Sequence, residues 1–184
     1  MRNQGRAVDN SAQDGAVQKT GAWLTHERLG FNYRLSEIQA ALGVAQMNRL
    51  DEIVAKRDAV ARRYIERFIG NSDIILPTVD ADTHMSWFVF VVRLSDQYTR
   101  EERDRVIDGM RRHDVGAAAY FPCIHLQPFY REQFGFKEGD FPVAESVSSR
   151  TIALPFYNNL SDQDADFAAQ TMELMLSREN IRRT

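Results

Sequence analysis

From Ser36 to about Phe68 the chain carries one helical pattern, and that run limits what the rest can become. Ile38, Leu42, Ala45, Leu50, Ile53, Val54, Ala61, Tyr64, Ile65 and Phe68 recur mostly at three- and four-residue steps, the period of one helix face. Glu52 with Lys56, and Asp58 with Arg62, set an acid four residues before a base, a pairing that supports the outer face. No proline interrupts the run, and Gly70-Asn71 supplies a stop. Roughly thirty residues at a ~1.5 Å rise make a rod of about 45–50 Å, longer than one small core needs. Such a helix is expected to join two domains.

Beyond Gly70 the pattern alternates between strand and helix. Ile74-Ile75-Leu76 reads as a short strand ended by Pro77, and Ser86 to Leu94 as a main strand, aromatic and β-branched enough to be central in its sheet. Thr99 with Glu102 forms a capping-box signature for a helix running to about His113. Val115 to Tyr120 is a second main strand, and the loop Phe121–Pro128 carries two prolines. Short helices are predicted near Phe129–Phe134 and Val143–Arg150, the second opened by Pro142. Thr151 to Leu154 is a third main strand, and Ser161 to Asp164 caps a last helix through about Leu176. This order makes an α/β sandwich, a small sheet with helices packed on it.

Just before the long helix lies the polar-aromatic turn Gly30-Phe31-Asn32-Tyr33-Arg34. An amide, a hydroxyl and a guanidinium held ahead of a helix N-terminus suit an anion such as a phosphate. The same residues also suit a plain surface turn, with Tyr33 packing and Arg34 paired to an acid. Composition narrows the rest. Hydrophobic content of 43% and charged content of 27% are ordinary for a globular protein. A net charge of −3, with acids interleaved among the arginine pairs, argues against nucleic acid as a partner. The single Cys123 excludes an internal disulfide and a cysteine metal cage, and the scattered histidines offer no metal site. No apolar run approaches a membrane span, and the cytoplasm is the default compartment.

Three ordered stretches carry a resemblance. They are Gly30 to Gly43 (GFNYRLSEIQAALG), Tyr120 to Arg131 (YFPCIHLQPFYR), and Phe141–Glu145 with Ala153–Tyr157 (FPVAE, ALPFY). Together they resemble the DegT/StrS-type family of pyridoxal-phosphate-dependent sugar aminotransferases, over nearly the whole chain but only the C-terminal half of the family's pattern. The resemblance implies the C-terminal small α/β domain of a fold-type I aminotransferase. On it, residues 1–35 are a remnant of the large cofactor-binding domain, 36–70 the interdomain helix and 71–184 the small domain. The chain is then expected to start inside a domain, with Asp9 to Thr20 a flexible loop and Trp23 and Leu24 the first anchors.

The implied complete enzyme is a homodimer that moves an amino group, with glutamate the expected donor, onto a nucleotide-linked keto-sugar. Its setting would be amino-sugar, cell-surface polysaccharide or antibiotic-sugar biosynthesis. Its cofactor, pyridoxal 5′-phosphate, sits on a lysine in a Ser-Phe-x-x-x-Lys stretch that this sequence does not contain. Lys19, Lys56 and Lys137 stand in other settings, so the chain holds no catalytic residue and is expected to be silent alone. The resemblance implies that Asn32 reaches the cofactor phosphate of a neighbouring subunit, with Arg34 bordering that site. It implies that His125, Tyr33 and Tyr120 face the nucleotide-sugar; a structural hydrogen bond for His125, packing for Tyr33 and a strand end for Tyr120 are the plainer readings. A Cys123–His125 nucleophile is conceivable from their spacing. A non-catalytic α/β module that binds a small effector is the alternative for the whole chain.

Overall fold

The computed structural model describes residues 31, 33 and 35–183. The loop expected over Asp9 to Thr20 and the anchors Trp23 and Leu24 lie outside the described residues. The chain divides into two compact units, Met1–Leu50 and Asp51–Thr184.

In the first unit, Ser36 opens helix α1 (Glu37–Met47) with a reciprocal cap. Its hydroxyl accepts the Gln39 N–H at 3.3 Å, and the Gln39 side chain accepts the Ser36 N–H at 3.2 Å. The helix is apolar on nearly every side and buries none of its residues; Ile38 is 85% exposed and Leu42 62%. The helical run is not continuous, as its sequence period suggested. Asn48 and Arg49 form a turn, closed by the Arg49 N–H on the Gln46 carbonyl at 3.0 Å, and α2 (Leu50–Phe68) starts afresh. A three-residue closure at an asparagine, whose amide competes for backbone partners, is a common way to end a helix.

In the second unit, α2 turns Val60, Ala61, Tyr64 and Phe68 inward. The sheet holds β1 (Ile74–Ile75), β2 (Phe90–Leu94), β3 (Ala118–Ala119) and β4 (Thr151–Leu154), in the order β1-β2-β4-β3 with every pairing antiparallel. Directly opposed residues share a face. Ile74 opposes Leu94, Phe90 opposes Leu154, and Val92 opposes Ile152, so the face these six residues share is apolar and buried. Helices α3 (Arg100–Arg112) and α6 (Asp162–Arg183) add Val106, Ile107, Met110, Met172 and Leu176 to the same core. Tyr64 lies inside it, stacked on Phe90 at 5.0 Å and donating its hydroxyl to the Pro155 carbonyl at 2.9 Å. Burial pushes its phenol pKa up.

The capping box at Thr99 and the strand Thr151–Leu154 stand as read from the sequence. Three elements differ. Strand β2 begins at Phe90 rather than Ser86, because Trp87 leaves the ladder to enter the core, and its carbonyl accepts Arg57 Nη1 at 3.0 Å. The strand expected from Val115 keeps only Ala118 and Ala119 in the ladder. Helix α6 runs to Arg183, beyond Leu176, because Glu179, Asn180 and Arg183 each find a partner in the body of the unit.

Candidate functional site

The stretch between β3 and β4 carries a 3₁₀ turn (Ile124–Leu126), α4 (Pro128–Phe134) and α5 (Pro142–Ser148). Its base is anchored to the sheet. Thr151 on β4 donates its hydroxyl to the Tyr120 carbonyl at 2.6 Å, and Ser148 donates to the Phe121 carbonyl. Arg103, 3% exposed on α3, donates to the carbonyls of Ser148 at 3.2 Å and Thr151 at 2.9 Å. A buried guanidinium thus satisfies carbonyls where α5 passes into β4.

His125 sits at the centre of this stretch, only 9% exposed. Its Nε2 lies 2.9 Å from Glu145 Oε1 on α5, and its ring packs against Phe141 (centroids 4.7 Å apart) and the edge of Phe136 (6.4 Å). Glu145 is a hub. Its two oxygens accept the Gly139 N–H, each at 3.0 Å, and Oε1 also accepts the Phe141 N–H at 3.2 Å. The Gly139 N–H above all, aided by His125 and the Phe141 N–H against the effect of burial, holds this carboxyl below the usual carboxylate range. Gly139 takes φ +90°, a backbone that a side chain would strain, and so turns its N–H toward Glu145.

Aromatic rings continue outward. Phe129, Tyr130, Phe134, Phe136 and Phe141 form an unbroken chain of ring contacts with centroids between 5.4 and 6.4 Å apart. Phe129 is 63% exposed and Phe134 58%, and Phe121 and Ile124, earlier in the same stretch, are exposed as well. The arrangement offers an apolar rim around a fixed imidazole–carboxylate pair, a surface that calls for cover.

Asn32 and Arg34 lie outside the described residues. Tyr33 is exposed and stacks on Phe31 at 5.0 Å. Tyr120 is half-buried, its ring stacked on Phe121 at 4.0 Å. His125 is buried with its Nε2 on Glu145, and no hydrogen bond joins it to Cys123 among the described residues. Of the five, only Tyr120 and His125 fall on the same stretch between β3 and β4. Glu145 carries no expectation from the sequence beyond its place in the Phe141–Glu145 stretch. Its signal was the acid in the first turn of a helix opened by proline, but its partner stands twenty residues earlier. Among the described residues no three His, Cys, Asp or Glu side chains converge as metal ligands, and no helix is long and apolar enough to cross a membrane.

The fold is that of the C-terminal part of sugar aminotransferases. A putative sugar aminotransferase from Streptococcus pneumoniae, Spr1654, superposes with a TM-score of 0.83 at 22% identity, covering 96% of this chain and 43% of that one. DesV of S. venezuelae superposes with a TM-score of 0.73 at 29% identity, covering 88% and 41%. The spore coat polysaccharide biosynthesis protein SpsC of Bacillus subtilis is 33% identical over 148 residues, which are 79% of this chain and 38% of SpsC. Residues 1–173 match the DegT/DnrJ/EryC1/StrS aminotransferase family, and the chain belongs to it. It spans about two-fifths of the length of the relatives it matches.

Proposed function

We infer that this chain supplies the C-terminal portion of a pyridoxal-phosphate-dependent aminotransferase that transfers an amino group, from glutamate, to a nucleotide-linked keto-sugar. The observation that carries the reading is the family match over residues 1–173 by a chain with 38% of the span of SpsC. The described residues do not by themselves fit the cofactor. Lys56 is exposed on α2 and bound to Glu52 at 2.7 Å, and Lys137 is exposed in the turn after α4. Neither has the pocket that a reactive amine needs. Lys19 lies outside the described residues. The reading places the cofactor's lysine in the family's lysine-bearing half, because no lysine of this sequence stands in a Ser-Phe-x-x-x-Lys stretch, and no chemical step is assigned to the described residues.

Within that reading, Asn32 and Arg34 would hold the cofactor phosphate of a partner subunit, with Tyr33 beside them. Tyr120 and the aromatic rim would border the nucleotide-sugar. His125 would act there through its bond to Glu145, which fixes the loop that shapes the substrate mouth. The test is direct: incubate the purified chain with pyridoxal phosphate, glutamate and a nucleotide keto-sugar, alone and with a polypeptide carrying the family's lysine-bearing half. Amino transfer only in the mixture, lost when Asn32→Ala is used, is the expected result. Transfer by the chain alone, with the cofactor fixed to one of its own lysines by borohydride, overturns the reading.

A further inference from the structure

Helices α3 and α6 run antiparallel, and they bring two arginine stripes together. On α3, Arg105, Gly109 and Arg112 succeed one another at four- and three-residue steps; on α6, Arg178 and Glu179 lie three and four residues after Met175, and Arg182 three after Glu179. These seven residues line a cavity of about 110 Å³. Its floor is close-packed. A Cβ on Gly109 would stand 2.3 Å from Met175 Sδ, so the glycine is what lets α6 approach there.

The charges on this cavity do not balance. Four guanidiniums face one carboxylate. Glu179, 4% exposed, is already committed, to Arg105 at 2.7 Å and to Arg182 at 2.7 Å. Glu102, the other acid near Arg105 on its inner side, is bound to Arg183 at 2.6 Å, and the Glu101 carboxylate lies toward solvent. Arg178 meets only the Met175 thioether, at 3.9 Å, and Arg112 meets no carboxylate among the described residues. The contrast lies in the groove between α2 and α6, where Arg63 is held by Asp166 and Arg67 by Glu173. There each cation has its acid; at the α3–α6 cavity two have none, in a chain whose net charge is −3.

We propose that the cavity lined by Arg105, Arg112, Arg178 and Arg182 is a binding site for a phosphoryl group, taken either as free phosphate or pyrophosphate or as the phosphate end of a small metabolite. Planar guanidinium forks match phosphate oxygens in pairs, and such charge-assisted bonds are the strong ones. At about 30 Å³ per water, the cavity has room for roughly four waters, which an oxyanion would displace. Arg105 and Arg182, each paired with Glu179, form the back wall, and Arg112 and Arg178, which hold no acid among the described residues, close on the ligand.

The test is titration calorimetry on the 184-residue chain with inorganic phosphate, inorganic pyrophosphate and a nucleoside diphosphate, at ionic strength held constant with chloride. Saturable one-to-one binding of pyrophosphate is expected. Arg112→Ala with Arg178→Ala should weaken it by roughly tenfold or more. Arg62→Ala, which removes an equally exposed cation from the outer face of α2, should leave it unchanged. Both α3–α6 arginines are exposed and hold no acid, so the double variant should melt with the parent, and its circular dichroism checks that. Equal affinity for pyrophosphate and nucleoside diphosphate supports recognition of the phosphoryl group whatever its source. Absence of saturable pyrophosphate binding, a preference for the nucleoside over the bare anion, or an equal loss in Arg62→Ala each overturns the proposal.

Discussion

Arg183 fastens the C-terminal end of α6 to α3 at Glu102, and truncating it should cost stability. Arg183 meets Glu102 through two parallel bonds, Nε to Oε1 at 2.7 Å and Nη2 to Oε2 at 2.6 Å. It also donates to the Gln97 carbonyl at 3.0 Å and lies 4.2 Å above the Tyr98 ring. Arg183 above all holds the Glu102 carboxyl down at about 2, from an ordinary 4.5. That difference caps the coupling at about 3 kcal/mol. Water reaches the pair, with Arg183 27% and Glu102 12% exposed, so the coupling itself should be about 1 kcal/mol. The ring contact adds about 0.5–1 kcal/mol, so Arg183→Ala should lower stability by about 2 kcal/mol.

The assay is a double-mutant cycle of Arg183→Ala and Glu102→Gln by urea unfolding. Because the folded carboxyl is more acidic than the unfolded one, its contribution is complete above about pH 4.5 and is lost as pH falls toward 2. A coupling below about 0.2 kcal/mol at neutral pH, or one that persists unchanged at pH 2, would refute the reasoning.

Two further outcomes rest on the same structure. Glu145→Gln should speed amide exchange at Gly139 and Phe141, since their N–H groups lose a charged acceptor; in the parent the same loosening should set in only as pH falls below the usual carboxylate range, because the Glu145 carboxyl is held low by those bonds. Equal protection in parent and variant would remove Glu145 as the hub. Phe90→Ala, at a residue 0% exposed and in ring contact with Tyr64, Trp87 and Phe156, should cost about 3–5 kcal/mol in urea unfolding. A loss under about 1 kcal/mol would mean that the core is not centred there.

What the sequence disclosed was local. The helix start at Ser36, the Thr99 cap, the proline that opens α5 and the apolar strand ending at Leu94 are each written within a few residues, and each appears where its chemistry put it. What it concealed depends on distance along the chain. Nothing near His125 announces Glu145, nothing near Glu102 announces Arg183, and the paired stripes on α3 and α6 become one cavity only when the helices meet. The start of β2 was misplaced for the same reason. Ser86 to Val89 has strand composition, but Trp87 is worth more in the core than in the ladder, and Arg57 from a distant helix takes its carbonyl. The turn at Asn48 was legible in principle, yet the apolar period runs through it and hides it.

Helix α1 has eleven residues, fewer than an isolated helix needs to hold together in water, and it shows apolar side chains on nearly every side without burying one. Its order is therefore borrowed from whatever surrounds it. Helix formation in α1 and the covering of its apolar side chains are thus a single equilibrium. A partner that covered those side chains would hold the Ser36 cap closed as well, without touching it.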